Sequence, residues 1–129
     1  MQIRHALIKV SDQEKALSFY TSVLGFVKKN DVRGGPMRWL TVSASGDSAG
    51  AELVLEPNSA PPARTAQKAL YDAHFPAALL STTDIEAEYR RLTGLGVRFL
   101  GPPGTMGGVK AAFFDDTCGN IIVLAETAA

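Results

Sequence analysis

An internal repeat constrains this chain most, because the same order of segments occurs twice within 129 residues. The stretch at 11–29 reads SDQEKALSFYTSVLGFVKK, and the stretch at 83–100 reads TDIEAEYRRLTGLGVRFL. Further along, GAELVLE at 50–56 aligns with GNIIVLA at 119–125. A chain that repeats its segments in the same order is expected to build one structural module twice.

Each long segment predicts a helix. Both segments begin with a hydroxyl residue and carry Glu three positions later, Ser11 with Glu14 and Thr83 with Glu86. That spacing is the pattern of a capping box, in which the two side chains bond backbone N–H groups at a helix start. Apolar residues then recur at helical spacing, and a glycine follows the last of them in each segment.

Runs of apolar and β-branched residues predict four strands in each half. In the first half the runs cover 5–10, 26–28, 38–43 and 50–56, and in the second half 77–82, 97–99, 109–114 and 119–125. RGGP at 33–36 and GPPGTMGG at 101–108 supply turns. Each half therefore reads βαβββ. We expect an α+β fold of two tandem βαβββ modules that form a curved mixed sheet around a cavity.

The chain is expected to form a single domain over residues 1–129. Module one is predicted for 1–57, a connector with a short helix for 58–75, and module two for 76–129. The connector helix is expected over 65–73, after the Pro-rich stretch PNSAPPAR at 57–64.

Composition and charge argue against several classes of partner. Thirteen basic and thirteen acidic residues give zero net charge, which disfavours nucleic acid or an anionic membrane as the main partner. No apolar run approaches the roughly 18 residues of a membrane helix, and the N-terminus lacks a signal peptide pattern. We therefore expect a cytoplasmic protein. The one cysteine, Cys118, rules out an internal disulfide and is predicted to be a solvated turn residue.

Together, DQEKALSFYTSVLGF, ELVLEPN, DIEAEYRRLTGLGV and FFDDTCGN resemble the vicinal oxygen chelate superfamily, and the match spans residues 4–126. That group includes glyoxalase I, extradiol dioxygenases, fosfomycin-resistance enzymes and bleomycin-resistance proteins. The resemblance implies a homodimer. In metal-using members it also implies a divalent ion, held by His on the first strand of a module and Glu, sometimes His or Gln, on the last. The ion chelates two neighbouring substrate oxygens and acts as a Lewis acid.

Of the four ligand positions that the resemblance implies, this chain keeps one. His5 stands seven residues before Asp12, where the superfamily places its histidine. The other positions fall on Val54, Ala77 and Val123, and none of these side chains binds a metal. We therefore expect no cofactor, with a divalent metal as the alternative.

A rearranged metal site would draw on His5, Glu52, Glu56 and His74. Glu52 and Glu56 lie on either side of Val54, on the same strand face. His74 would need a register change to join them, so it is expected to be a polar residue that ends the connecting helix. Without a metal, His5 and Glu52 could work as a catalytic acid–base pair or form a structural hydrogen bond. Burial is expected to raise the pKa of Glu52.

The remaining positions that face the predicted cavity are mostly apolar or aromatic, as in pockets for small, partly hydrophobic ligands. The predicted ligand-binding residues are Leu7, Lys9, Trp39, Val54, Leu79, Ser81, Ile121 and Val123. Two functions stay open, and a third possibility is a structural subunit in which the dimer interface fills the cavity. One is binding of a small molecule without the standard four-ligand metal site. The other is a divalent-metal-dependent lyase, isomerase or dioxygenase that uses His5 and Glu52; an enzyme is expected to be a glyoxalase-like lyase or an extradiol-type dioxygenase.

Overall fold

The computed structural model describes residues 1–45 and 50–128. It divides into two compact units, Met1–Thr65 and Ala66–Ala129. Each unit contains one four-stranded sheet and follows the order strand, helix, strand, strand, strand. The α+β class and the tandem βαβββ modules are therefore confirmed.

The first unit builds its sheet in the order β1-β4-β3-β2. Its elements are β1 (His5–Val10), α1 (Gln13–Ser18) continued by a π-helical segment (Phe19–Val23), β2 (Val27–Gly34), β3 (Met37–Ser43) and β4 (Glu52–Pro57). β1 pairs with β4 in parallel, and the other two pairs are antiparallel. The predicted strand 26–28 extends to Gly34, because the residues after it continue to pair with β3.

One face of this sheet packs against the helix. Its strands contribute Ile8, Val10, Leu40, Val42 and Leu55, and the helix contributes Ala16, Phe19 and Tyr20, all buried. The Gln13 side chain donates hydrogen bonds to the backbone oxygens of Arg38 and Leu55, which ties α1 to β3 and β4. The opposite face is free of this helix and carries the candidate site.

An ion-pair group joins β2, β3 and α1 on the helix side. Arg38 donates to both carboxylate oxygens of Asp31 at 2.8 and 2.9 Å, and its third nitrogen lies 2.5 Å from Glu14. The guanidinium hydrogen bonds hold the pKa of Asp31 near 2, against an ordinary 3.8. Arg38 is therefore committed to this group.

Helix starts use a different residue from the one the capping-box pattern predicted. The N-cap of α1 is Asp12, whose Oδ1 accepts from the Lys15 backbone N–H at 3.1 Å. The N-cap of α3 (Ile85–Gly94) is Asp84, which accepts from the Ala87 N–H at 3.0 Å. The prediction that Ser11 and Thr83 cap these helices is wrong by one position, because Asp12 and Asp84 are equally good caps and bond N–H groups one residue later, those of Lys15 and Ala87.

The second unit orders its sheet β5-β8-β7-β6. Its strands are β5 (Pro76–Thr82), β6 (Gly104–Met106), β7 (Val109–Asp115) and β8 (Ile121–Glu126). α3 buries Ile85 and Leu92, while β7 and β8 bury Ala112, Phe114, Ile122 and Leu124 on one sheet face.

The predicted strand at 97–99 is not a strand. Phe99 makes one isolated bridge to Phe114, and the pairing strand lies later, at Gly104–Met106. Pro102 and Pro103 lack the N–H that a ladder needs, so pairing resumes only after them. A two-glycine turn with positive φ at Gly107 and Gly108 then returns the chain into β7.

The helix before β5 also starts earlier than predicted. α2 covers Pro61–Asp72, whereas the sequence predicted 65–73. A proline fits the first turn of a helix, where its missing N–H would have no helical partner. Among the described residues, no helix has the length and apolar character required to cross a membrane.

The turn before β8 is held by buried hydrogen bonds to the Asp116 carboxylate. Asp116 is fully buried and accepts from the backbone N–H groups of Cys118 and Asn120 and from the Asn120 side chain. This bonding turns Cys118 inward, so its side chain is buried and the prediction of a solvated residue is wrong. Gln67 of α2 donates to the Asn120 side chain at 3.2 Å and so connects the helix to the turn.

Candidate small-molecule site on the first sheet

The parallel pairing of β1 with β4 aligns three pairs of side chains on one face. His5 pairs with Glu52, Leu7 with Val54, and Lys9 with Glu56. β3 adds alternate residues to the same face, because Thr41 pairs with Val54. This surface is called the His5 face, and it contains His5, Leu7, Lys9, Trp39, Thr41, Glu52, Val54 and Glu56.

The predicted catalytic pair does come together. His5 Nε2 lies 3.7 Å from Glu52 Oε2, and both side chains are partly exposed. Trp39 packs edge-on against the His5 ring, with the ring centres 5.4 Å apart and an angle of 66°. The imidazole therefore lies between a carboxylate and an aromatic surface.

Two hydrogen bonds to the Glu52 carboxylate determine the direction of its pKa shift. Thr41 donates its hydroxyl hydrogen to Oε1 at 2.6 Å, and Asn30 donates its amide N–H to the same oxygen at 3.0 Å. These bonds stabilise the charged form and lower the pKa of Glu52, with the Thr41 bond as the largest cause. The expectation that burial raises this pKa is wrong, because two donors outweigh desolvation. Glu52 is thus an ionised acceptor rather than a proton donor.

Asn30 reaches this site through an irregularity in β2. The register between β2 and β3 shifts between Lys28 and Asn30, and Asn30 pairs with Thr41. A bulge of this kind re-aims the side chains that follow it. Nothing in the sequence around Asn30 marks the bulge, and strict alternation would not have assigned this residue to the site.

Lys9 and Glu56 form an ion pair. The Lys9 ammonium lies 2.5 Å from Glu56 Oε2, so the predicted metal ligand Glu56 is engaged in an ion pair. Its strand neighbour Val54 is 1% exposed and forms the floor of the face. Leu7 and Trp39 expose 59% and 41% of their surface, so they supply most of the apolar area that a ligand could cover.

The predicted ligand-binding residues of the second unit follow a similar pattern. Leu79 pairs with Val123, and Ser81 pairs with Ala125. Leu79 is 63% exposed, and Ser81 is exposed as well. Ile121 is 1% exposed, as Val54 is, so it lies in the buried part of the sheet, and its contact with a ligand stays a prediction.

The chain matches the family model described as "Glyoxalase/Bleomycin resistance protein/Dioxygenase superfamily" over residues 2–124. The chain belongs to this superfamily. The vicinal oxygen chelate resemblance is confirmed by that match and by solved members of the same superfamily.

Three similar proteins illustrate the relationship. "Uncharacterized protein YurT" of Bacillus subtilis (strain 168) is 46% identical over 126 residues, which cover 98% of this chain and 99% of the relative. A solved superfamily member from Sphaerobacter thermophilus DSM 20745 is 35% identical, with a TM-score of 0.80 and 98% of each chain covered. TnmS3, described as an antibiotic binding protein from Streptomyces sp. CB03234, is 30% identical, with a TM-score of 0.75 and 99% and 97% coverage.

The side chains of this superfamily member do not fit a four-ligand metal centre. Of the four positions that the resemblance implies, only His5 carries a side chain that can bind a metal. The other three positions are occupied by Val54, Ala77 and Val123. His74, with a left-handed φ of 60°, lies in the turn between α2 and β5. Within residues 1–45 and 50–128, no group of three or more His, Cys, Asp or Glu side chains could hold a metal ion.

Proposed function

We propose that this protein binds a small, partly hydrophobic molecule on the His5 face without the four-ligand metal centre of metal-using superfamily members. The observation that carries the proposal is the exposure of Leu7 and Trp39 beside an ionised Glu52. An apolar surface with a few fixed polar groups is the usual make-up of a small-molecule site. TnmS3, a similar protein that is described as an antibiotic binding protein, supports this class of function.

The test uses Trp39, which is the only tryptophan of the sequence. Nile red, a neutral apolar dye, and metal-free bleomycin are titrated into the protein while tryptophan emission and dye emission are recorded. Saturable change in both signals is expected, because a molecule that covers Leu7 also alters the surroundings of the adjacent indole.

Two matched variants locate the binding surface. Leu7→Glu should weaken Nile red binding about tenfold or more, since covering a leucine contributes about 1.5–3 kcal/mol. Leu95→Glu is the control, because Leu95 is 55% exposed, close to the 59% of Leu7, and belongs to the second unit. Equal affinity of both variants, or no saturable signal with any probe, would reject the proposal.

A second candidate function rests on the 3.7 Å approach of His5 to Glu52. This pair could hold a divalent ion as part of a rearranged site of a lyase, isomerase or dioxygenase. Metal analysis of the purified protein, with thermal-shift titrations of Mn²⁺, Fe²⁺, Ni²⁺ and Zn²⁺, separates the two candidates. A stoichiometric ion that is lost in His5→Ala supports the metal-dependent function, whereas no ion and no thermal shift removes it.

A further inference from the structure

The two oxygens of the Glu52 carboxylate have different surroundings. Oε1 accepts both the Thr41 and the Asn30 hydrogen bond. Oε2 accepts no hydrogen bond from residues 1–45 or 50–128, and the His5 Nε2 atom lies 3.7 Å from it. This distance exceeds that of a direct hydrogen bond, so Oε2 keeps an acceptor position open beside His5, whose ring contacts Trp39.

The carboxylate cannot easily turn to satisfy Oε2 elsewhere. Thr41 lies on β3 and Asn30 on β2, so two different strands fix Oε1. An ionised carboxylate has acceptors and no donor. An organic ligand group that complements Oε2 must therefore be an N–H or O–H donor.

Ser43 is a second, independent observation at the same end of the face. Its side chain is 4% exposed, and its Oγ is a buried polar atom without a hydrogen-bond partner among the described residues. Ser43 follows Thr41 by two positions and shares its strand face. Continuing the antiparallel register of Val42 with Leu53 by one residue places Ser43 opposite Glu52. A buried hydroxyl left without a partner is costly, and a polar group bound at this end of the face would offset that cost.

We propose that the ligand of the His5 face is a hydrogen-bond donor: an apolar body that covers Leu7 and Trp39 and carries an N–H or O–H group that bonds Glu52 Oε2. The inference rests on the proposed function and adds the chemical class of the ligand. An anionic ligand group is disfavoured at this position, because it would meet a like charge held ionised by Thr41 and Asn30.

Four naphthalene probes with one shared ring system test the donor requirement. They are 1-naphthylmethylamine (a cationic donor), 1-naphthalenemethanol (a neutral donor), 1-methylnaphthalene (no polar group) and the anion of 1-naphthaleneacetic acid (an anionic acceptor). Calorimetric titration at pH 8 should show one or both donors binding about 10- to 100-fold tighter than the acetate, in keeping with a hydrogen bond to a charged group. The amine and the alcohol distinguish a cationic from a neutral donor.

Glu52→Gln tests the atom that the inference names. The amide oxygen can keep the Thr41 and Asn30 bonds, while an NH₂ group replaces Oε2 and has no acceptor capacity. The donor preference should fall about tenfold or more, and binding of 1-methylnaphthalene should not change. Glu88→Gln is the matched control, the same change in an acid that is paired with Arg91 and lies on α3, outside the His5 face. It should keep the donor preference.

The outcomes separate this inference from the proposed function. Saturable binding of 1-methylnaphthalene with no preference among the polar probes would overturn the donor inference and leave small-molecule binding intact. A donor preference that survives Glu52→Gln would also overturn it. No binding by any of the four probes and no saturable Nile red signal would overturn the proposed function and this inference together, whereas Nile red binding without binding of any naphthalene would overturn this inference alone.

Discussion

Replacing Asp116 with alanine should destabilise the protein by about 3–5 kcal/mol. The carboxylate is fully buried and accepts from the Cys118 N–H at 2.8 Å, the Asn120 N–H at 2.9 Å and the Asn120 side-chain amide at 2.8 Å. The substitution leaves these three buried donors without their acceptor, and each such loss costs about 1–3 kcal/mol. The lower part of the summed range is expected, because water or a shift of the turn restores some of the bonds.

Asp116→Asn separates the hydrogen bonds from the space they occupy. Its amide oxygen can accept both backbone N–H groups, but its NH₂ group meets the Asn120 amide, whose oxygen is engaged with Gln67. We expect a smaller loss of about 1–2 kcal/mol. Asp12→Asn is the control, since Asp12 is an exposed helix cap and asparagine caps equally well.

Urea unfolding followed by circular dichroism measures these differences in the free energy of unfolding. The order of stability should be wild type and Asp12→Asn together, then Asp116→Asn, then Asp116→Ala. If the free energy of unfolding of Asp116→Ala lay within about 1 kcal/mol of the wild-type value, the Asp116 hydrogen bonds would not stabilise the turn as argued.

Three further changes test other parts of the molecule. Gly119→Ala should cost about 1–3 kcal/mol in urea unfolding, because Gly119 has φ +101° and a Cβ there would lie 2.8 Å from Gln67 Nε2; an unchanged midpoint would contradict this. Ser43→Ala should leave stability unchanged or raise it by up to about 1 kcal/mol, since it removes a buried hydroxyl with no partner among the described residues, and a clear loss would reveal a bond to that hydroxyl. Arg38 holds the pKa of Asp31 near 2, below its ordinary 3.8, so the stability from this pair is present above about pH 4 and is lost as pH falls towards 2. Asp31→Asn should flatten the acid limb of the stability–pH curve in that window, and an unchanged limb would contradict the assignment.

Local patterns in the sequence predicted the fold well where the two halves share a physical cause. The repeated apolar runs gave both modules, and β1 has the predicted bounds of His5–Val10. The errors lie where neighbouring residues compete for one role. Ser11 and Asp12 can both cap α1, and only the backbone geometry selects Asp12.

The second module differs from the first in where its second strand begins. The first module continues its strand directly from Val27, but Pro102 and Pro103 interrupt the equivalent path and delay pairing to Gly104. The repeat correctly predicted that this strand exists but placed it too early, at 97–99. Proline removes a backbone donor without changing the apolar pattern, so the pattern alone did not reveal the delay.

The candidate site was predictable in its residues and not in its electrostatics. The sequence brought His5 and Glu52 to one strand face, and their 3.7 Å separation agrees with that. The direction of the Glu52 pKa depended on Thr41 and Asn30, and the β2 bulge that aims Asn30 has no local signature. The single-domain boundaries, the homodimer and the cytoplasmic location stay predictions.

The most direct test of small-molecule binding on the His5 face is the indole N–H resonance of Trp39 in a ¹H–¹⁵N NMR spectrum, where a single tryptophan gives a single side-chain signal. Titration with 1-naphthalenemethanol should shift this resonance to saturation, with the largest backbone changes in β1, β3 and β4 and a much weaker response in Leu7→Glu. A Trp39 signal that stays in place while resonances elsewhere move to saturation would contradict the location of the site on this face.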